Sequence, residues 1–462
     1  MRLLWPLMVP HATVSSYAQK QVIMKNLILI LLFPIVSLGQ NIAKDVENYM
    51  DTQHQINDFG GTVIIMRNDT VVLKRAYGYA DHEWSVKNTI DTKFVLASIT
   101  KYFTAIAVMQ LVEKNQLSLH DRLNKFFPAY PNGERVTIHM LLTHTAGLAL
   151  DFDDLYMDST TISKDSAISI IQQRPYLFPP GTNCKYSNIG YFLLSQIIEK
   201  ASGMTYEAFL KQNIFQKAGM VNTGVNNNDS IIVKKAKIYY RNGKSYAHNP
   251  YINWNLNTGL DGIYSTVEDL YLLERAMHGE SIISEKTKIK MTTQYNKMYP
   301  DNGFFDSYGY GIFINPYYNH NHYLLTHSGG FIGTMTTYDS YPKDNIFIAV
   351  LSNNESESHM ISYGLAGLLF GIPVELPYVH KEVLVDEKIL KRYSGNYGNI
   401  VIIFSNGKLF LNNLETPLLA ESDTKFFSKI NNDRTFEFVI KKNKVHSLIL
   451  TKGGVKEAKI RL

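Results

Sequence analysis

A serine hydroxyl attacks a carbonyl only once a neighbouring base draws off its proton, and a lysine is such a base where its surroundings hold it neutral. Ser98 and Lys101 have the spacing for this chemistry, because residues three apart on a helix share a face. A serine in the first turn also meets free backbone N–H groups and the positive end of the helix dipole, which favour developing negative charge. Burial and that dipole both push the lysine towards neutrality. The same spacing recurs at Ser340/Lys343, Ser405/Lys408 and Ser422/Lys425, but those stretches hold a proline, an Asn-Gly turn and an Asp-Thr pair. Ser98 alone opens an apolar run. Taken by itself, the pair fits an N-cap serine followed by a solvated lysine equally well.

Two further groups of residues have chemical potential. Tyr186-Ser187-Asn188 follows a Pro-Pro-Gly turn and precedes a helical pattern, so it should lie on a loop that projects into a cleft. A phenol beside a cationic lysine has its pKa lowered and can pass a proton to a leaving group, while an amide such as Asn188 can hold a substrate. His327-Ser328-Gly329-Gly330 ends the β-rich run Tyr323 to Thr326. Small residues there would let a substrate backbone lie against the strand, and the N–H of Gly330 could pair with that of Ser98 as an oxyanion hole. The plainer readings are turn composition for the first, since Tyr-x-Asn recurs along the chain, and a strand closing in a glycine turn for the second.

These residues must be positioned by the elements between them. Ala43 to Gln55 reads as a helix, and Thr62 to Arg67 with Thr70 to Tyr77 as a hairpin around Asn68-Asp69. Ser98 to Val112 is apolar on nearly every side, which suits a helix in the middle of a domain, and Gly190 to Ala201 gives a second apolar helix. Tyr308 to Ile314, Tyr323 to Thr326, Gly333 to Tyr338 and Ile346 to Leu351 read as consecutive antiparallel strands, closed by a helix from about Ser356 to Phe370. The first hairpin is expected to join that sheet. Beyond a proline-punctuated stretch ending at Pro377 the pattern changes to short strands and turns. A small β domain over 381–462 is therefore expected to follow a larger domain over 42–375.

Order and element type together make the three signatures specific. The chain resembles the serine β-lactamase and penicillin-binding-protein superfamily, in particular its class C and D-alanyl-D-alanine carboxypeptidase branch. The resemblance rests on Ser98-x-x-Lys101, Tyr186-x-Asn188 and the His327-Ser328-Gly329 strand, in the family's order. Leu141 to Gly147 (Leu-Leu-Thr-His-Thr-Ala-Gly), Phe178 to Thr182 and Gly262 to Asp269 look like the same family. It implies an α+β fold with an antiparallel sheet flanked by helices, and a C-terminal module like the small β-barrels some members carry. It also implies a catalytic set of Ser98, Lys101 and Tyr186, with Asn188, His327, Ser328 and Gly330 holding the substrate. Many β-lactamases have lysine where His327 stands, and lysine supplies a fixed charge for a substrate carboxylate. Histidine is charged only partly near neutral pH, so the expectation leans away from efficient antibiotic breakdown and towards peptidase or esterase chemistry. In that family the segment around His144 is structural, so a Ser-His dyad is not expected.

Composition sets the remaining bounds. At 462 residues and 45% hydrophobic content the chain can bury a large core. Its 46 basic against 41 acidic residues leave a net charge of +5 without a long basic run, which excludes a nucleic-acid footprint. A single cysteine, Cys184, rules out an intramolecular disulfide and reads as a small buried hydrophobe. Asn319-His-Asn-His322 lacks the carboxylates of a metalloenzyme pattern, so neither metal nor other cofactor is expected. Met24, a lysine and the apolar run Leu27 to Val36 lead into Ser37-Leu38-Gly39, which reads as a signal peptide cut after Gly39, with residues 1–39 as leader and translation starting at Met24. That run is short for a bilayer of about 30 Å, so a secreted or periplasmic protein is expected, with no stable membrane span. The expected partner is a small-molecule or peptide substrate, with cell-wall peptides and β-lactams in range. A small-molecule esterase, a D-amino-acid peptidase and a non-catalytic ligand-binding relative are the alternatives.

Overall fold

The computed structural model describes residues 41–157, 162–242, 245–296, 307–316, 319–412, 415, 417–428 and 434–462. The leader and signal peptide read over 1–39 lie outside these. The first hairpin forms as its residues demand. Asn68 and Asp69 both take left-handed φ values (51° and 58°), the geometry a two-residue turn needs to match the twist of its strands, and both residue types tolerate it.

That hairpin joins strands from far down the chain in one antiparallel sheet of six, in the order Phe313–Ile314, Leu325–Phe331, Thr334–Tyr341, Ile346–Ser352, Gly61–Arg67, Thr70–Tyr77. Val63 faces Val350 across the central pair. Alternation along Gly61–Arg67 then sorts side chains onto two faces. Val63 and Ile65 pack with Ile348 and Val350 against the N-terminal helix over 41–57 and the helix Ser358–Leu369. Ile64 and Met66 turn to the other face and join the large core built on the helix Thr100–Glu113. Twelve of that helix's residues, from Thr100 to Leu111, are buried, consistent with a sequence apolar all round. The helix Asn188–Ser202 packs beside it.

Two strand expectations change. Tyr308 to Ile314 narrows to Phe313–Ile314, because a Cβ on Gly309 would sit 2.0 Å from the Met291 carbonyl and Gly311 takes φ 73°. The chain there is folded against Met291, whose carbonyl accepts from Tyr310 N–H, and cannot extend. Conversely, the strand through Thr326 does not stop in a glycine turn but continues to Phe331.

Beyond residue 381 a short helix, Glu387–Lys391, leads into eight antiparallel strands in sequence order, from Gly395–Tyr397 to Val455–Ile460. A bridge from Tyr397 to Arg461 brings the first strand to the last, so the sheet is a nearly closed barrel. Its interior is filled, with the Tyr393 ring stacked 4.0 Å from that of Phe438 and Phe426, Phe436 and Leu448 around them. The Gly453-Gly454 turn docks this barrel on the helix Ser358–Leu369. A Cβ on Gly364 would meet the Gly453 carbonyl at 2.3 Å, and Tyr49 donates to the same oxygen at 3.1 Å. The barrel therefore sits behind the sheet, on the side away from Thr100–Glu113. Among the described residues no helix is long and apolar enough to cross a membrane.

Candidate active site

The segment that carries Ser98 is clamped from two sides before its helix begins. Ala97 takes φ 48°, a left-handed conformation that strains a residue with a side chain. Its neighbour Leu96 donates its N–H to Ile263 (2.8 Å), and its carbonyl accepts from the Thr336 hydroxyl at 2.6 Å. Gly329 explains how the strand comes so near, since a Cβ there would lie 2.1 Å from the Leu96 carbonyl and 3.0 Å from the Ala97 methyl. This glycine serves close approach, which a turn reading of the sequence missed. Gly329→Ala must push the two segments apart. We expect it to lower the melting temperature and to slow ester turnover by about tenfold or more through misplacement of Ser98, compared in circular dichroism melts and p-nitrophenyl ester assays against Gly330→Ala, whose added Cβ meets nothing nearer than 3.5 Å. Equal melting temperatures of the two variants would count against the clamp.

Ser98 sits in a single 3-10 turn, Ala97–Ile99, that runs directly into Thr100–Glu113. Lys101 is wholly buried. Its Nζ donates to Ser98 Oγ at 2.9 Å and to the Leu260 carbonyl at 3.0 Å, and lies 3.5 Å from Asp261 Oδ1. The Ser98 hydroxyl in turn donates to Asp261 Oδ1 at 3.0 Å. Burial holds the Lys101 amine below its usual pKa, while the Asp261 and Asp151 carboxylates pull it back up. Burial raises the Asp151 carboxyl, against the Phe152 N–H and the Asn188 amide, which stabilise its charge.

Tyr186 arrives on the other wall. Its ring centre lies 5.0 Å from Lys101 Nζ, and the ring stacks on His144 at 4.4 Å. His144 is 2% exposed, and its Nδ1 accepts the N–H of Ser187 at 3.0 Å. Burial and the nearby lysine keep it neutral. It props the tyrosine loop, far from the role of a base. Ser187 caps the next helix through the N–H of Gly190, which leaves Asn188 as the first helical residue and not on the loop. The Asn188 amide nitrogen donates to Asp151 Oδ2 at 2.8 Å. The stretches that looked like family segments are what pack this wall: a Cβ on Gly147 would lie 2.1 Å from the Phe178 carbonyl, so Leu141 to Gly147 and Phe178 to Thr182 meet backbone to backbone.

His327 behaves unlike the partly charged group its sequence suggests. It is 1% exposed among the rings of Tyr308 and Phe313. Its Nδ1 donates to the Ser328 carbonyl at 2.7 Å, and its Nε2 accepts from the Tyr308 hydroxyl at 3.3 Å. Burial, with Lys101 nearby, drives its pKa down to about 3, so the ring is neutral at any physiological pH. Ser328 and Gly330 lie on the same strand, paired with Thr337 and Met335. The neighbouring strand Phe313–Ile314 pairs with Thr326 and Leu325, and among the described residues no strand pairs with the outer edge from His327 to Phe331, the kind of edge to which an extended ligand adds.

Asp261 and Asp151 were not singled out from sequence. Asp261 immediately precedes the Gly262 to Asp269 stretch, and a lone acid beside that stretch was the available signal. Cys184 is half-buried, and burial raises its thiol to about 11, far from an activated nucleophile. Among the described residues no group of three or more His, Cys, Asp or Glu side chains could hold a metal ion.

A six-stranded sheet between helical layers, with a serine and a buried lysine at the head of the central helix, is the architecture of the serine β-lactamases and penicillin-binding proteins. The chain belongs to the beta-lactamase family, whose model matches residues 42–366. Penicillin-binding protein 4* of Bacillus subtilis is 30% identical over 460 residues, covering 92% of this chain and all of that protein. Among solved structures, the octameric penicillin-binding protein homologue from Pyrococcus abyssi superposes with a TM-score of 0.66 at 27% identity, over 91% of this chain and 99% of that one. The penicillin-binding protein from Bacillus halodurans gives a TM-score of 0.59 at 29% identity, over 70% and 96%. The family is one of serine hydrolases.

Proposed function

We propose that the protein is an exported serine hydrolase that cleaves ester or amide bonds through an acyl-enzyme on Ser98. One observation carries the reading: the amine of Lys101, wholly buried, lies 2.9 Å from the Ser98 oxygen. Ser98 Oγ bonds to the substrate carbonyl carbon while the carbonyl π pair moves to oxygen, held by the N–H groups of Ser98 and Gly330. The serine proton passes through the Lys101/Tyr186 pair to the leaving group, and water then releases the acyl chain. Asn188, Ser328 and the strand edge beyond Thr326 hold the substrate. Export rests on the apolar run Leu27 to Val36 and the small residues after it.

The Bacillus subtilis relative is a penicillin-binding protein, and the resemblance to the D-alanyl-D-alanine carboxypeptidase branch implies a substrate that ends in a carboxylate. The neutral, buried His327 favours the esterase and amidase side instead, because it supplies no positive charge for such a group. A panel of p-nitrophenyl esters, D-Ala-D-Ala peptides and nitrocefin separates the two. We expect ester cleavage to be fastest and nitrocefin turnover slow. Peptide or nitrocefin turnover above that of every ester would overturn the assignment, and no covalent adduct with any probe would leave a ligand-binding relative.

A further inference from the structure

The hydrogen bonds around Ser98 assign the first destination of its proton. Among the described residues three groups lie within reach of Lys101 Nζ, and each accepts from it: Ser98 Oγ at 2.9 Å, the Leu260 carbonyl at 3.0 Å and Asp261 Oδ1 at 3.5 Å. An ammonium carries three N–H bonds and no acceptor, which is what such a shell suits, whereas a neutral amine needs a donor for its lone pair. The serine hydroxyl has one hydrogen. It points to Asp261 Oδ1 at 3.0 Å, leaving the Oγ lone pairs to accept from the lysine. In the resting enzyme, then, the amine is a donor to the nucleophile, and the group aligned to take its proton is a carboxylate. Asp261 is 3% exposed, so water does not compete for that bond.

Resting on the acyl-enzyme reading above, we propose that Asp261 is a catalytic residue of acylation: its carboxylate receives the Ser98 proton as Oγ attacks the substrate carbonyl. The O–H bond of Ser98 breaks and one forms on Asp261 Oδ1, while the new C–O bond forms and the carbonyl π pair moves to the oxyanion. The Lys101 ammonium gives a proton to Tyr186, whose phenol protonates the departing alkoxide or amine. Asp261 then returns its proton to Lys101, so the site gains no charge and the leaving group gains one proton. Lys101 is thus a relay and a field for the oxyanion, with the carboxylate as the first base. Among the described residues the other titratable groups around the pair are Asp151, Tyr156 at the end of the short helix Asp153–Tyr156, Tyr186, Tyr191 and His144 from the tyrosine wall, and His327 from the strand.

The test is pre-steady-state release of p-nitrophenol from p-nitrophenyl acetate by wild type, Asp261→Asn and Asp261→Glu, from mildly acid to mildly alkaline pH. As first base, Asp261 predicts an acylation rate lower by about 10²-fold or more in Asp261→Asn at every pH, with Asp261→Glu recovering part of it. A mere counter-ion predicts the opposite sign. Its removal would lower the Lys101 pKa further, free the amine to act as base, and raise the rate at neutral pH with the acid limb moved to lower pH. That second pattern, or an unchanged rate, overturns the proposal while leaving Ser98 as nucleophile. Should Asp261→Asn not fold, judged by circular dichroism, the Glu variant decides, because a counter-ion role predicts a wild-type profile and a base role a reduced rate. No burst in wild type with any ester would remove the acyl-enzyme reading itself, and this proposal with it.

Discussion

Ser98→Ala abolishes covalent capture by a fluorophosphonate or a tagged penicillin and lowers ester turnover by about 10⁴-fold or more, a loss of the size seen when the nucleophile of a coupled catalytic set is removed. Stability should hardly move. Ser98 Oγ makes one bond to Asp261 and one to Lys101, and those two partners already lie 3.5 Å apart and can close on each other once the hydroxyl is gone. A net change within about 1 kcal/mol in urea melts is therefore expected. The two readouts together separate a chemical from a structural role. A labelled alanine variant would place the nucleophile elsewhere, and a large drop in stability would mean that activity was lost through unfolding.

Lys101→Met should affect activity and stability together. It removes the relay between Ser98 and Tyr186, so acylation falls by about 10²- to 10⁴-fold. It also strips the cation from beside the buried Asp261 and removes its attraction for Asp151. Leaving the buried Asp261 carboxylate without its ion-pair partner costs about 3 to 5 kcal/mol. The pH dependence has a definite sign. Burial already raises the folded-state pKa of Asp151, and loss of the Lys101 charge, which pulls it down, raises it further. A group raised in the folded state binds more protons there, so its contribution is favourable at low pH and is lost as pH rises through the folded pKa. The deficit of Lys101→Met relative to wild type should therefore be greatest at neutral to alkaline pH and shrink on acidification. Chemical denaturation at a neutral and a mildly acid pH measures it. An equal deficit at both would show that Asp151 does not sense the amine.

Much of this site was legible because its parts are local. Ser98 opens a run apolar on all sides, and such a run can only be a central helix, which fixes Lys101 one turn further inside it. Hairpin and sheet followed from alternation and from the Asn68-Asp69 turn. What escaped the sequence depends on partners distant along the chain. The charge state of His327 is set by the rings of Tyr308 and Phe313 closing over it, and no reading of the four residues His327 to Gly330 reveals that enclosure. Asp261 lies 163 residues from the serine it touches, with nothing local to mark it. Asn188 was placed on a loop because the cap one residue earlier was not recognised. Gly329 was read as turn punctuation when its work is to admit another backbone.

The barrel's attachment bears on how such a molecule can diversify. Its glycine clasp grips the rear helix through main-chain atoms, with the whole sheet standing between that grip and the nucleophile. Replacing the module would alter how firmly the hydrolase's back wall is braced and leave the reacting groups undisturbed. Cutting and bracing are thereby free to drift under separate selection.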